Sequence, residues 1–349
     1  MSAPALRAAL AQLCGGRELA CDEAAAAFDE IMGGAATPAL IGAFLAALRA
    51  RGETVDVVVA AARTMRRHAE RVVTRRAPLV DTCGTGGDGA STISISTAAA
   101  LIAAGAGAAV AKHGNRGASG RFGGADVLEA LGVRIDLGPR AAGRCLDEVG
   151  MAFLFAPRMH PAMRHAAPVR RELGIRTVFN LLGPLTNPAG VTRQVIGVPS
   201  TEALELVGGA LQALGTEHAL VVHSRDGLDE ISLGAPTDAL ELRDGAPVER
   251  VLTAADFGLA AVPVEELRAE TAAHSAEAVR ALLEGRPGPI TDVVLANAAA
   301  ALYVSGLAAT LPEGVAKALD AVRSGAARDV LERLIAFTTT VDDRTGDPA

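Results

Sequence analysis

Residues 81–100, DTCGTGGDGASTISISTAAA, place Gly84, Gly86, Gly87 and Gly89 between an apolar run and a helix-like one, and set a single acid, Asp88, among them. Glycines let backbone amides approach an anion, and the N-terminus of a following helix adds about 0.3–1 kcal/mol of favourable charge. A carboxylate in such a loop repels a phosphate unless it faces a hydroxyl or a bound cation. A diphosphate carried with Mg2+ supplies that cation, because Mg2+ is commonly held by phosphates plus one or two carboxylates. The plainer alternative is a tight turn with Asp88 capping a helix.

Gly84, Gly86 and Gly89 also satisfy G-x-G-x-x-G between a strand and a helix, the fingerprint of a dinucleotide site. That site needs an acid about 20 residues later to hold ribose hydroxyls. Here the next strand ends in Lys112–His113 instead. A P-loop fails because Ala90 stands where its lysine belongs.

A second loop, AKHGNRGASGRFGGADVLEALG at 111–132, carries Lys112, Arg116 and Arg121, again between strand and helix. Single basic residues in loops are usually only solvated. Two glycine-rich loops on successive strand ends are a stronger sign, since ligands of open α/β sheets bind outside those carboxyl ends. A third segment, HSRDGLDEIS at 223–232, places Asp229 and Glu230 side by side after a strand, as hard-cation ligands or as surface acids. His113 reads as a packing or hydrogen-bonding residue rather than a base. His160 and His165 lack a third ligand and are not read as a metal site.

These loops need a frame. TPALIGAFLAALRARG offers Thr37 as N-cap, Pro38 at the first helical position and Gly52 past the end, and a second helix follows from Thr54. From Ala77 the texture becomes α/β: APLVDT, a helix near 94–105, GAAVAKH, ADVLEALG, VRID, MAFLFAP, a helix from Pro161 to Gly174, then RQVIGVP, HALVVHS and DALELRDG. Two alanine-rich helices at about 290–305 and 312–338 close the chain. The expected fold class is α/β, a parallel-sheet domain with a smaller all-helical domain.

Half of the 349 residues are hydrophobic, and much of that is alanine, so no membrane span is expected. A net charge of −7, no Trp and one Tyr argue against a nucleic-acid surface. Four cysteines without CxxC spacing and no apparent secretory signal point to reduced thiols and a cytoplasmic location.

GTGGD at 84–88, KHGNR at 112–116, ADVLEALG at 125–132, HPAMRHAAPVRRELGIRTVFNLLGPLTNP at 160–188 and DGLDEIS at 226–232 occur in this order. Over nearly its full length the chain resembles the anthranilate phosphoribosyltransferases of tryptophan biosynthesis. The resemblance implies transfer of a phosphoribosyl group from phosphoribosyl diphosphate to anthranilate, with about two Mg2+ ions per subunit, in a homodimer. It implies a discontinuous small domain, 1–72 plus about 163–186, beside a large domain of 77–160 plus 190–345. Gly84, Gly87, Asp88, Thr92, Ser94, Ile95, Ser96 and Thr97 match the first phosphoribosyl diphosphate loop. Lys112, His113, Gly114, Asn115, Arg116, Gly117, Ala118, Ser119 and Gly120, with Gly124, match the second. Gly84, Asn115 and Arg170 match anthranilate contacts, and Ser96, Asp229 and Glu230 match magnesium ligands. No side chain is assigned as a certain catalytic residue; Lys112 and Mg2+ are expected to stabilise the transition state.

The family commonly has Asn where Ser94 stands and Ser where Gly124 stands. A hydrogen bond to a charged group is worth about 1.5–3 kcal/mol, so each change implies about tenfold weaker donor binding unless backbone amides compensate. The rival readings are a pyrimidine nucleoside phosphorylase, whose loop signatures differ, a non-catalytic nucleic-acid-binding relative, which needs a basic surface, and an NAD-dependent dehydrogenase.

Overall fold

The computed structural model describes residues 3–117 and 122–342. Four helices come first: α1 (Pro4–Cys14), α2 (Cys21–Met32), α3 (Pro38–Arg51) and α4 (Val55–Arg67). The expected caps are in place. Thr37 accepts from the Leu40 amide, Thr54 from the Val57 amide, and Gly52 ends α3 at φ 91°. The α/β part then runs β1 (Leu79–Asp81), α5 (Ile95–Gly105), β2 (Ala109–Gly114), α6 (Gly124–Ala130), α7 (Pro139–Val149) and β3 (Met151–Phe155). After α8 (Ala156–Met159) come α9 (Ala167–Leu173) and α10 (Phe179–Leu185). The chain continues through β4 (Arg193–Gly197), α11 (Thr201–Leu214), β5 (His218–Ser224), β6 (Thr237–Arg243) and β7 (Ala246–Leu252). It closes with α12 (Ala272–Leu283), α13 (Pro289–Ser305), α14 (Leu311–Arg323) and α15 (Ala326–Thr340).

The seven strands lie in the order β3-β2-β1-β4-β5-β6-β7. Five are parallel, and β6 and β7 join as an antiparallel hairpin, so the sheet is mixed rather than wholly parallel. The reason is local: Asp244 and Gly245, at φ 54° and 102°, make the left-handed two-residue turn that a tight hairpin requires. β7 forms one edge of the sheet and β3 the other.

Three expected elements differ. VRID is not a strand; Val133 and Ile135 are buried, but the Arg134 amide donates to Thr338 Oγ1 of α15 instead of a sheet neighbour. Its alternation reflects one-sided burial of an extended segment. The helix expected from Pro161 begins as a 3-10 turn (Pro161–His165), and α9 starts afresh around Pro168, which lacks an amide proton to continue the ladder. Gly174 ends it as expected, at φ 64°. The last long helix breaks between α14 and α15 at Gly325, φ 80°.

One buried cluster joins α5, β1–β3, α7 and the last three helices. The other joins α1–α4, residues of α9 and α10, and α11 with one face of β4 and β5. The chain therefore leaves β1 for β2 by way of α5, packed in the first cluster, and β4 for β5 by way of α11, packed in the second. β1 and β4 are neighbours, which makes the gap between their carboxyl ends the topological switch point where ligands of such sheets bind.

A histidine pair ties the sheet to α10. His113 Nδ1 lies 2.8 Å from the Gly183 carbonyl and donates to it. Its Nε2 must then accept from His160 Nε2, 3.2 Å away. Both rings are buried, and burial pushes His113 down to about 4 and His160 down to about 3. A base whose folded pKa lies below its unfolded value of about 6.5 contributes stability above that value and loses it as pH falls. Between pH 6.5 and 4 the two histidines therefore pull the unfolding free energy down. His160→Gln should be more stable relative to the parent as pH falls across that range, its slope differing by about one proton, or about 1.4 kcal/mol per pH unit, as read by urea titrations. The carboxyls of Asp81, Asp229 and Glu230, which burial raises, act with the opposite sign in both proteins and leave the difference intact.

Candidate active site

The site is built where backbones approach closely. The Thr85 amide donates to the Gly197 carbonyl at 2.8 Å, laying the glycine loop after β1 on the end of β4. A β carbon on Gly197 would sit 1.5 Å from the Asp229 carbonyl, and one on Gly84 would sit 2.9 Å from the Gly197 carbonyl. Three strand ends, β1, β4 and β5, thus meet through glycine, and the segment bearing Asp229 and Glu230 is delivered beside the glycine loop. The far side of that loop is stitched down elsewhere: Thr92 bridges to Arg268, and the Ser91 carbonyl accepts from the Ala269 amide.

Lys112 lies beneath this junction, 3% exposed at the end of β2. Its Nζ donates to the Thr82 carbonyl and to Thr82 Oγ1, both at 3.1 Å. Thr82 Oγ1 in turn donates to the Ser96 carbonyl at 3.0 Å. The buried Asp81 accepts from the His113 amide and from Asn187 Nδ2, which also donates to the Ala111 carbonyl. A buried charge needs partners of this kind, because an unpaired one costs several kcal/mol, on the order of 3–5 when a partner is removed.

The acids converge on the loop. Burial raises the Asp229 carboxyl, and the charge and hydrogen bond of Asp88 raise it further. Burial likewise raises Glu230, with Asp229 as the next cause and Lys112 opposing. Glu230 Oε1 accepts from the Ser96 amide at 3.2 Å, at the N-terminus of α5. Asp88 also accepts from the Ala90 amide at 3.1 Å, forming a local turn. It does not cap α5, whose N-cap is Ser94. The donor set is all oxygen and its members repel one another, which suits a hard divalent cation. Among the described residues no three His, Cys, Asp or Glu side chains stand ready around a single metal position.

The other sequence candidates fall into distinct surroundings. Ser94 donates through Oγ to Thr97 Oγ1 at 2.8 Å, and its amide donates to Ser275 Oγ. Ile95 has its side chain in the core and its amide bonded to the Ile93 carbonyl. A β carbon on Gly124 would lie 2.9 Å from Thr97 Oγ1 and 3.8 Å from Ser94 Oγ, so the two departures from the family pattern occupy one spot. Gly114 lies under the Phe153 ring, and the Asn115 carbonyl accepts from the Ala125 amide. Arg116 is engaged by Asp126 and Glu129 of α6, with Glu129 the larger cause of its raised pKa. Asp126 also accepts from the Gly117 and Gly123 amides. Ala118, Ser119 and Gly120, with Arg121, lie outside the described residues. Arg170 stacks 5.3 Å from the Phe179 ring centroid and donates to Asn180 Oδ1.

Sequence reasoning passed over Asp81, Thr82, Arg176, Asn187 and Gly197. Asn187 lay within the quoted GPLTNP, and Gly197 ends a strand, the usual sign of a close backbone approach.

Residues 7–69 match the glycosyl transferase family, helical bundle domain, and residues 76–328 match the glycosyl transferase family, a/b domain. The chain is thus built as a two-domain glycosyl transferase. Anthranilate phosphoribosyltransferase of Thioalkalivibrio sulfidiphilus is 52% identical over 323 residues, covering 93% of this chain and 96% of that protein. The crystal structure of anthranilate phosphoribosyltransferase from Thermus thermophilus superposes with a TM-score of 0.89 at 45% identity, over 95% of this chain and 99% of that one. The Saccharomyces cerevisiae enzyme, in complex with phosphoribosyl diphosphate and Mg, superposes at 0.88 and 26% identity, over 96% and 98%. That enzyme has also been solved with 4-fluoroanthranilate. The chain belongs to the anthranilate phosphoribosyltransferase family.

Gly197→Ala drives a β carbon into the Asp229 carbonyl, so it must shift the acidic segment from the glycine loop. A displacement of about 1 Å costs about 100-fold in rate. Turnover is expected to fall by that order while the circular dichroism spectrum stays that of the parent.

Proposed function

We propose that the chain transfers the 5-phosphoribosyl group of phosphoribosyl diphosphate to the anthranilate amine, releasing pyrophosphate, as a Mg2+-dependent step of tryptophan biosynthesis. One observation carries the reading: a glycine loop, a buried lysine and an acidic pair meet at the switch point of a chain half identical to enzymes of that activity.

In the reaction a bond forms between the amine nitrogen and the anomeric carbon while the bond from that carbon to pyrophosphate breaks. An aryl amine is neutral near pH 7, so its lone pair needs no strong base. The proton it sheds after attack is acidic enough to leave to solvent. His113, which donates to Gly183 and accepts from His160, is accordingly not given a base role. Glycine-loop amides around Gly84, Gly87 and Asp88, with Thr92 and the Ser94–Thr97 turn, would receive the diphosphate. Lys112 has three ammonium protons and gives Thr82 two hydrogen bonds, which leaves one donor for the charge that grows on the leaving group. Asn115 and Arg170 would orient the acceptor, with the guanidinium on its carboxylate.

Ser96, Asp229 and Glu230 would hold Mg2+, with Asp88 close by, and the mutual repulsion of these acids supports the assignment. When bound, the ion neutralises charge on the diphosphate oxygens. The expected pair of ions and the homodimer rest on the family resemblance. No helix among the described residues is long and apolar enough to cross a membrane.

The test is loss of anthranilate fluorescence on mixing with the purified chain, dependent on both phosphoribosyl diphosphate and Mg2+; no change under those conditions rejects the activity. Asp229→Asn combined with Glu230→Gln should reduce Mg2+-dependent turnover at least about 100-fold. Activity near that of the parent would remove the pair from the metal site.

A further inference from the structure

Arg176 lies in the connection between α9 and α10, six residues past the acceptor candidate Arg170. It reaches across to the glycine loop of the sheet domain, where its Nη1 donates to the Gly86 carbonyl at 3.0 Å. The fit is tight: a β carbon on Gly87 would lie 1.8 Å from that same nitrogen. Its Nη2 is buried without an acceptor among the described residues. Asp229 attracts the guanidinium, Glu53 adds to that attraction and Arg49 opposes it. The charge of Arg176 is also felt by Arg170, whose pKa burial lowers first and Arg176 lowers further.

We propose that Arg176 is a positioning residue that sets the donor loop from the acceptor side of the cleft. Carbonyl and amide of one trans peptide unit point in opposite directions. Pinning the Gly86 carbonyl toward Arg176 therefore aims the Gly87 amide away from it, fixing one donor of the phosphate loop before any ligand arrives. Glycines at 86 and 87, both at positive φ, would otherwise leave that plane free to turn over. The segment that carries Arg170 thereby also orders the loop for the diphosphate, and donor affinity depends on how that segment is docked. The inference rests on the phosphoribosyl-transfer reading for its substrates, and on geometry alone for the loop.

The experiment uses the full chain with Arg176→Ala and Arg176→Lys. Initial rates are taken against phosphoribosyl diphosphate and against anthranilate in magnesium buffer. For Arg176→Ala the donor KM should rise about tenfold, with kcat and the anthranilate KM within about twofold of the parent. Arg176→Lys, which keeps the charge on a single donor nitrogen in place of the guanidinium fork, should recover part of the loss. Hydrogen exchange without ligands should show faster exchange of the 84–89 amides in Arg176→Ala, with the rest of the sheet unchanged. An unchanged donor KM with unchanged exchange overturns the proposal. A rise confined to the anthranilate KM also overturns it, since Arg176 would then contact the acceptor itself. Were the parent to show no turnover, the reaction reading would fail and the exchange comparison alone would decide the role of Arg176.

Discussion

The site depends on one steric constraint: β4 must end in a residue with no side chain. The glycine loop hangs from the Gly197 carbonyl, and the Asp229 carbonyl occupies the place a β carbon would take. Everything chemical follows from that contact. It brings the glycine loop and the acidic segment within reach of each other, although the stretch of chain between Asp88 and Asp229 is as long as many whole domains.

Charge is then opposed only in part. Lys112 is surrounded by Thr82, Asp81 and the field of Glu230, while Glu230 sits on the positive end of α5. The surplus is negative and lies around Asp88, Asp229 and Glu230, all at the rim of the loop. A carboxylate among glycines is unfavourable for a bare phosphate and favourable for one carried by a divalent ion.

Much of this was readable in the chain. Glycine spacing, the Lys112 strand end and the paired acids are local signals, and so are the Thr37 and Thr54 caps and the Gly174 stop. Their motif order suggested the family that the comparisons show. What escaped was long-range. Arg176 and Gly86 lie 90 residues apart on different elements, and no spacing rule joins them. The Gly197 contact and the Asn187 tie to Asp81 are likewise tertiary. VRID misled because burial of every second residue looks the same beside a helix as in a sheet, and β7 was passed over although Asp244–Gly245 announces its turn.

The hairpin has a bearing on how the molecule behaves in concentrated solution. Among the described residues β7 has one row of peptide groups without a strand beside it, with Val248 and Val251 about half exposed. Pro247 brings no peptide proton to that strand, and the charges of Glu249 and Arg250 stand between the two valines. Arg250 is itself held by Glu241 of β6 at 3.0 Å. Such an arrangement discourages an incoming chain from extending the sheet, and the seven strands stay seven.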